Sequence, residues 1–340
     1  MIGFQPEAYT PAWWLRGAHL QTCWGRFKRP KTLVPMRREV LTTPDGDELV
    51  LDHLVLDTPH KPDTPRVVLL HGLEGSSYSV YMQGLMAILR DRGWLATAVN
   101  FRSCARPPHD LTYMMPNRRP RMYHSGETTD MDFVFRTFKA REPERPLAAV
   151  GTSLGGNALL KWLGENAGEP LLFAVATLSV PYNLGAGSRF MESWTGRFYL
   201  RNFLRTLIPK AIRVAQSFPE AAARIDVERT KRSTTFWEFD DAANGPLHGF
   251  AGADDYYTRC SSIHYAHKIK TPTLCISASD DPFLPRRVLV DFESAKSAAV
   301  RLLVTETGGH VGFVSGSRSA PRYWAEETSI DWLAANLVVA

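Results

Sequence analysis

The stretch Leu147-Ala-Ala-Val-Gly-Thr-Ser-Leu-Gly-Gly-Asn157 constrains this chain more than any other. A short apolar run, Leu147 to Val150, reads as a buried strand, and Ala158 to Leu163 reads as a helix. Between them lies Gly151-Thr-Ser153-Leu-Gly155, a G-x-S-x-G sequence in the strand–turn–helix setting of a nucleophile elbow. A serine at so sharp a turn is held in a strained backbone conformation, and side chains at 151 and 155 would block it. The turn lifts the hydroxyl clear of the sheet, beside a helix N-terminus whose dipole favours developing negative charge. Such a chain is expected to be a serine hydrolase or an acyltransferase.

The surrounding pattern supplies the frame. Buried runs at Val67–Leu70, Leu95–Phe101, Phe173–Val180, Thr273–Ala278 and Val300–Val304 alternate with helical periodicity. The helices are expected at Val80–Arg92, Thr128–Ala140, Arg286–Ala295 and Tyr323–Asn336. Two further strands, Arg38–Thr42 and Glu48–Leu56, flank the turn Pro44-Asp-Gly-Asp47. Apolar strands alternating with helices predict an α/β fold: a mostly parallel sheet covered on both faces. The 340 residues read as one such domain, 1–340. Residues 1–35, rich in Trp and Pro, read as an irregular arm packed by aromatic anchors. Alternation breaks down over 182–250, which reads as a helical lid inserted over the carboxyl edge of the sheet. Within it, Arg197–Ile212 is an expected amphipathic helix, with Leu200, Phe203, Leu204, Leu207 and Ala211 on one face.

A serine hydroxyl needs an adjacent base, and on this frame the partners follow in the order Ser, acid, His. The strand Thr273–Ala278 runs into Ser279-Asp280-Asp281-Pro282, and Val300–Val304 is followed by Thr305-Glu-Thr-Gly-Gly-His310. The catalytic set expected is Ser153, Asp281 and His310, with Asp281 preferred over Asp280 and Glu306 weaker still. The oxyanion hole requires two backbone N–H groups, expected from Leu154 and from Leu73 in His71-Gly-Leu-Glu-Gly75. His71 reads as a loop-structuring residue rather than a base.

Composition narrows the alternatives. No apolar run reaches the roughly 18 residues of a membrane span. The start, Met1-Ile-Gly-Phe-Gln, lacks the basic-then-apolar pattern of a secretory leader. Cys23, Cys104, Cys260 and Cys275 are scattered, which argues against a disulfide framework and favours the cytoplasm. There is no P-loop, and no Gly-x-Gly-x-x-Gly follows the first buried strand. His264 and His267 have no acidic or cysteine cluster beside them. No metal, cofactor or nucleic-acid partner is expected, and the substrate is a small acyl ester. Net charge is a mild +5, but Arg189–Arg232 holds ten Lys/Arg against four Asp/Glu. The row Arg197, Arg201 and Arg205 beside an apolar face suggests weak contact with anionic membrane surfaces.

Seven stretches carry a resemblance over nearly the whole chain. They are Pro11-Ala-Trp-Trp with Gly17-Ala-His-Leu-Gln-Thr22, His71-Gly-Leu-Glu-Gly-Ser76, Tyr123-His-Ser-Gly-Glu-Thr128 and Gly151–Asn157. The remaining three are His248-Gly-Phe250 with Asp255-Tyr-Tyr257, Asp280-Asp-Pro-Phe283, and Gly308-Gly-His-Val-Gly-Phe313. In these the chain resembles the YheT-like branch of the α/β-hydrolase fold. The resemblance implies a cofactor-free carboxylic-ester hydrolase, with Ser153, Asp281 and His310 matching its serine, acid and histidine. It also suggests acyl-chain substrates, with acyl transfer from a thioester, or a non-catalytic binding role, as rivals. Arg102-Ser-Cys-Ala-Arg106 departs from the pattern, where more glycine is expected.

Overall fold

The computed structural model describes residues 3–30 and 34–337. The outer ends of the expected arm and domain, residues 1–2 and 338–340, lie outside the described residues, as does 31–33. Eight strands form one sheet: β1 (Met36–Thr42), β2 (Glu48–Leu54), β3 (Arg66–Leu70), β4 (Leu95–Asn100), β5 (Leu147–Thr152), β6 (Val175–Leu178), β7 (Thr273–Ala278) and β8 (Val300–Thr305). Their order is β1-β2-β4-β3-β5-β6-β7-β8. The pairs β1–β2 and β2–β4 are antiparallel, and all those from β4 to β8 are parallel.

Helices α1 (Ala18–Lys28), α2 (Val80–Asp91), α3 (Thr129–Arg141) and α4 (Leu154–Glu165) precede a long helical segment. That segment starts with α5 (Leu184–Met191) and α6 (Gly196–Ser217) and ends with α7 (Ala253–Cys260). Then follow α8 (Arg287–Ala295), a small hairpin of β9 (Val314–Gly316) and β10 (Pro321–Tyr323), and α9 (Trp324–Leu337). Strand side chains alternate between two cores. Val68, Leu70 and Ala149 pack with α3, α4 and α8 through Phe135, Trp162 and Phe292. Val67, Leu69 and Val150 pack on the opposite face with α2 and α9 through Met86, Ile330 and Trp332.

Three expectations need correction. The first concerns residues 18–28, which are helical rather than irregular. Gly17, at φ 95°, starts the helix, and its one fully enclosed side chain is polar, Gln21, so no apolar stripe advertises it. The second concerns β6, which spans only Val175–Leu178 of the expected 173–180. Ser179, at φ 50°, turns the chain out of the sheet. The third concerns the helical segment, which continues past 250 to Cys260. It carries its own core, including Leu200, Leu204, Leu207, Ala211 and Phe239. Between α6 and α7 it contains a five-residue π-helix, Asp240–Asn244.

Candidate active site

Ser153 sits between β5 and α4 with φ 51° and ψ −119°. The left-handed turn is fixed by its N–H, which donates to the Leu178 carbonyl at 2.7 Å. A Cβ at Gly155 would stand 2.5 Å from the His71 carbonyl oxygen, and one at Gly151 would stand 2.7 Å from Gly156 Cα. Only glycine lets the elbow close this tightly. Leu154 opens α4, so its N–H is one of those with no partner inside the helix.

The histidine and the acid arrive from the ends of β8 and β7. His310 Nε2 lies 3.0 Å from Ser153 Oγ, and His310 Nδ1 lies 2.8 Å from Asp281 Oδ2. The Asp281 carboxylate is buried, and its other oxygen accepts from the Phe283 N–H at 2.8 Å. The Phe283 ring stacks on the imidazole, with centroids 4.1 Å apart. Such a histidine can take a proton from the hydroxyl while the carboxylate fixes its tautomer.

Asp280 faces elsewhere. Its Oδ1 accepts from the Gly309 N–H at 2.9 Å, and so anchors the loop that carries the histidine. Glu306 is on the surface, 3.4 Å from Arg286. Successive residues of the histidine loop are held by three different segments. Gly309 N–H goes to Asp280, His310 N–H donates to Thr22 Oγ1 at 2.9 Å, and Val311 N–H donates to Ser179 Oγ at 2.9 Å. Thr22 belongs to α1, so the helix hidden in the arm touches the backbone of His310 itself. At Gly309, φ 61°, a Cβ would come within 2.6 Å of Thr22 Oγ1.

The loop after β3 is clamped just as closely. His71 is fully buried; its Nδ1–H donates to the Gly72 carbonyl at 2.7 Å and its Nε2 accepts from the Phe101 N–H at 3.1 Å. Burial pulls its pKa down to about 4, so the ring is neutral. Gly72 N–H donates to Tyr81 Oη at 2.8 Å. Glu74, at φ 57°, donates its N–H to Tyr123 Oη at 2.6 Å, and the Tyr123 hydroxyl donates to Glu74 Oε1 at 2.8 Å. Lys210, from α6, closes the cluster with Nζ 2.5 Å from the same carboxylate oxygen. Leu73 therefore lies in a loop braced by β-sheet, α2 and α6 together, and it lines the same cavity as Ser153 and His310.

Sequence reasoning missed Thr22, Ser179, Tyr81, Tyr123 and Lys210. Thr22 and Tyr123 lie in the quoted stretches Gly17–Thr22 and Tyr123–Thr128, which was the available signal. Arg102 is a structural residue: its buried guanidinium bonds Asp45, Asp47 and Asp130. Burial pushes the neighbouring Cys104 thiol up to about 11.

The cavity measures about 930 Å³. Ser153 and His310 line it, and its apolar lining includes Met122, Met191, Phe203, Phe236 and Phe283. A strand–turn–helix serine, a histidine and a buried carboxylate on this strand order define a class of protein. Residues 65–317 match the family model described as alpha/beta hydrolase fold, and the chain belongs to that family. Among its relatives, the YheT protein of Escherichia coli (strain K12) is 38% identical over 318 residues, covering 93% of this chain and 89% of that one. Phospholipase ABHD3 of Bos taurus is 30% identical, covering 91% and 74%. Monoacylglycerol lipase of Saccharomyces cerevisiae is 26% identical, covering 92% and 77%. Among solved structures, the Pyrococcus furiosus esterase PF2001 has TM-score 0.53 at 14% identity, covering 82% and 84%, a likeness of fold.

Proposed function

We propose that this protein is a carboxylesterase that cleaves acyl esters of short to medium chain length through Ser153, His310 and Asp281. The observation that carries the reading is the unbroken line from Ser153 Oγ to His310 to the buried Asp281 carboxylate, at 3.0 and 2.8 Å. In this reading Ser153 Oγ attacks the ester carbonyl carbon and His310 Nε2 takes its proton. The N–H groups of Leu154 and Leu73 receive the oxyanion. The tetrahedral intermediate collapses to an acyl-enzyme as His310 returns the proton to the leaving alcohol. Water then enters by the same base and releases the acid. Apolar walls in the cavity suit an acyl chain, and the segment 182–250 acts as the lid that sets its length. The names of two relatives, a phospholipase and a monoacylglycerol lipase, support a lipid-like ester.

The test is a graded series of p-nitrophenyl esters, run with and without an alcohol co-substrate, beside fluorophosphonate labelling. Hydrolysis with labelling at Ser153 is expected. Ester products formed from the alcohol would make the protein an acyltransferase. No labelling at Ser153 would leave a binding protein on a hydrolase fold.

The cavity mouth supports a lipid surface as the place of action. Phe27 of α1 and Phe198 of α6 line it, and each is 71% exposed; Trp194 nearby is 90% exposed. His19 Nδ1 and Tyr199 Oη, 2.9 Å apart, tie α1 and α6 into one rim. Exposed Arg26, Lys28, Arg197, Arg201 and Arg205 belong to the same two helices. Aromatic tips with surrounding arginines suit the boundary of an anionic bilayer. Among the described residues no helix is long and apolar enough to cross a membrane. Co-sedimentation is expected with acidic vesicles, weaker with neutral ones, and lost in W194A/F198A. Equal pelleting with both lipids would remove the electrostatic part. The four cysteines are free, in keeping with a cytoplasmic site.

A further inference from the structure

One wall of the cavity is polar and takes no part in the triad. Asp240, Asn244, Tyr257 and Ser188 all line it. Asp240 and Asn244 are the first and last residues of the π-helix, a local form that recurs at functional sites. Asn244 Nδ2 donates to Asp240 Oδ1 at 2.9 Å, and the Tyr257 hydroxyl donates to Asp240 Oδ2 at 2.7 Å. Asn244 is more than nine-tenths buried, yet its Oδ1 accepts no hydrogen bond. Among the described residues Asp240 forms no ion pair, and each of its oxygens keeps spare acceptor capacity. Burial raises its pKa to about 6, so it carries a charge at neutral pH that its neighbours only partly satisfy. The wall therefore presents several unused acceptors and asks for donors.

We propose that Asp240 and Asn244 form a subsite that hydrogen-bonds the hydroxyl groups of a polyol in the alcohol half of the ester. The proposal rests on the esterase reading above. An acyl chain has no donor to offer and belongs on the apolar walls, which leaves the polar wall to the leaving alcohol. Asn244 Oδ1 and the Asp240 carboxylate are neighbouring acceptors, which suits neighbouring hydroxyls. A carboxylate whose pKa is raised, and whose oxygens are shared with neutral donors, is set up for hydroxyls more than for a cation.

The test uses uncleavable ethers, so that binding is read without turnover. Calorimetry compares 1-O-hexylglycerol with hexyl propyl ether in the wild type, D240N and N244L. The glycerol ether is expected to bind about tenfold more tightly to the wild type, the usual yield of one or two hydrogen bonds to a charged acceptor. D240N, which keeps the side-chain shape, is expected to bring the ratio below about threefold. Equal binding in the wild type overturns the subsite, and so does a contrast that survives in both variants. Tighter binding of hexylcholine ether than of hexylglycerol also overturns it, in favour of a cation site. Thermal unfolding identifies a variant that fails to fold, and D240N then decides. Fluorophosphonate labelling of Ser153 separates the two readings. Labelling without the binding contrast sinks the subsite alone, and the contrast without labelling sinks the esterase alone.

Discussion

Ser153 occupies a backbone region that a non-glycine residue enters only at a cost of about 1–3 kcal/mol. That strain is separable from the hydroxyl. Replacing Ser153 with Ala is expected to remove ~10⁴–10⁶ of turnover while keeping the strain, and H310A the same, without additivity. S153G should be equally inactive but more stable than S153A by about 1 kcal/mol in urea unfolding, because glycine enters the region freely. Equal stability would place the strain elsewhere. The two adjacent aspartates should separate as cleanly. D281N is expected to lose most activity, whereas D280N, which can still accept from Gly309, should stay within about tenfold of wild type in kcat. Asp240 makes a pH prediction. Its folded pKa, about 6, is raised by burial above the 3.8 of an ordinary aspartate. Its contribution to stability is therefore full below about 3.8 and is lost as pH rises through about 6. D240N does not titrate, so its Tm should exceed the wild-type Tm at pH 8 and lose that advantage by pH 4. A constant difference across that range would remove the role assigned to ionisation. The placement of Ser153 at a turn between strand and helix, and of Asp281 in the loop beyond a strand end, was legible because the signals are local: glycines at fixed offsets, and Asp-Pro after a strand. Thr22 and Lys210 were not, because their partners lie 288 and 136 residues away.

Elements were legible in proportion to how apolar their inner faces are. The strands from β3 to β7 are buried throughout and stood out as apolar runs. By contrast α1 turns polar residues inward. Gln21 bonds the Leu15 and Val314 carbonyls and the Val314 N–H, and Thr22 bonds His310. Its role is positional, and T22A should lower kcat by about tenfold with little change in KM, with T22S restoring it. An unchanged kcat would show that the other two anchors suffice. The tie between α6 and the loop after β3 is a buried ion pair, Lys210 with Glu74. K210M strands the carboxylate and should cost about 3–5 kcal/mol, most of it regained in K210M/E74Q. If the double variant is as unstable as the single one, the loss is packing rather than charge.

At the scale of the whole molecule, the sheet is a platform and its carboxyl edge is where Ser153, Asp281 and His310 gather. The elbow, the acid loop and the histidine loop leave β5, β7 and β8 at that edge, and the alternating pattern made this arrangement legible from the start. The pattern could not show that residues 9–29 are fastened to residues 314–326. Ala12 N–H donates to the Val314 carbonyl at 3.0 Å, Tyr9 packs against Trp324, and Arg29 forms two hydrogen bonds to the buried Glu326. These contacts join segments about 300 residues apart in the chain, and the entropy of closing so long a loop is paid before the contact rewards it, which makes such contacts slow to form. A chain leaving the ribosome exposes its serine 157 residues before its histidine, and the helix that steadies the histidine waits longest of all for its dock. Helical signal on dilution from urea should therefore return before turnover does. Under the proposed function, the triad is expected to stay idle until the segment around Thr22 has docked against the loop that carries His310.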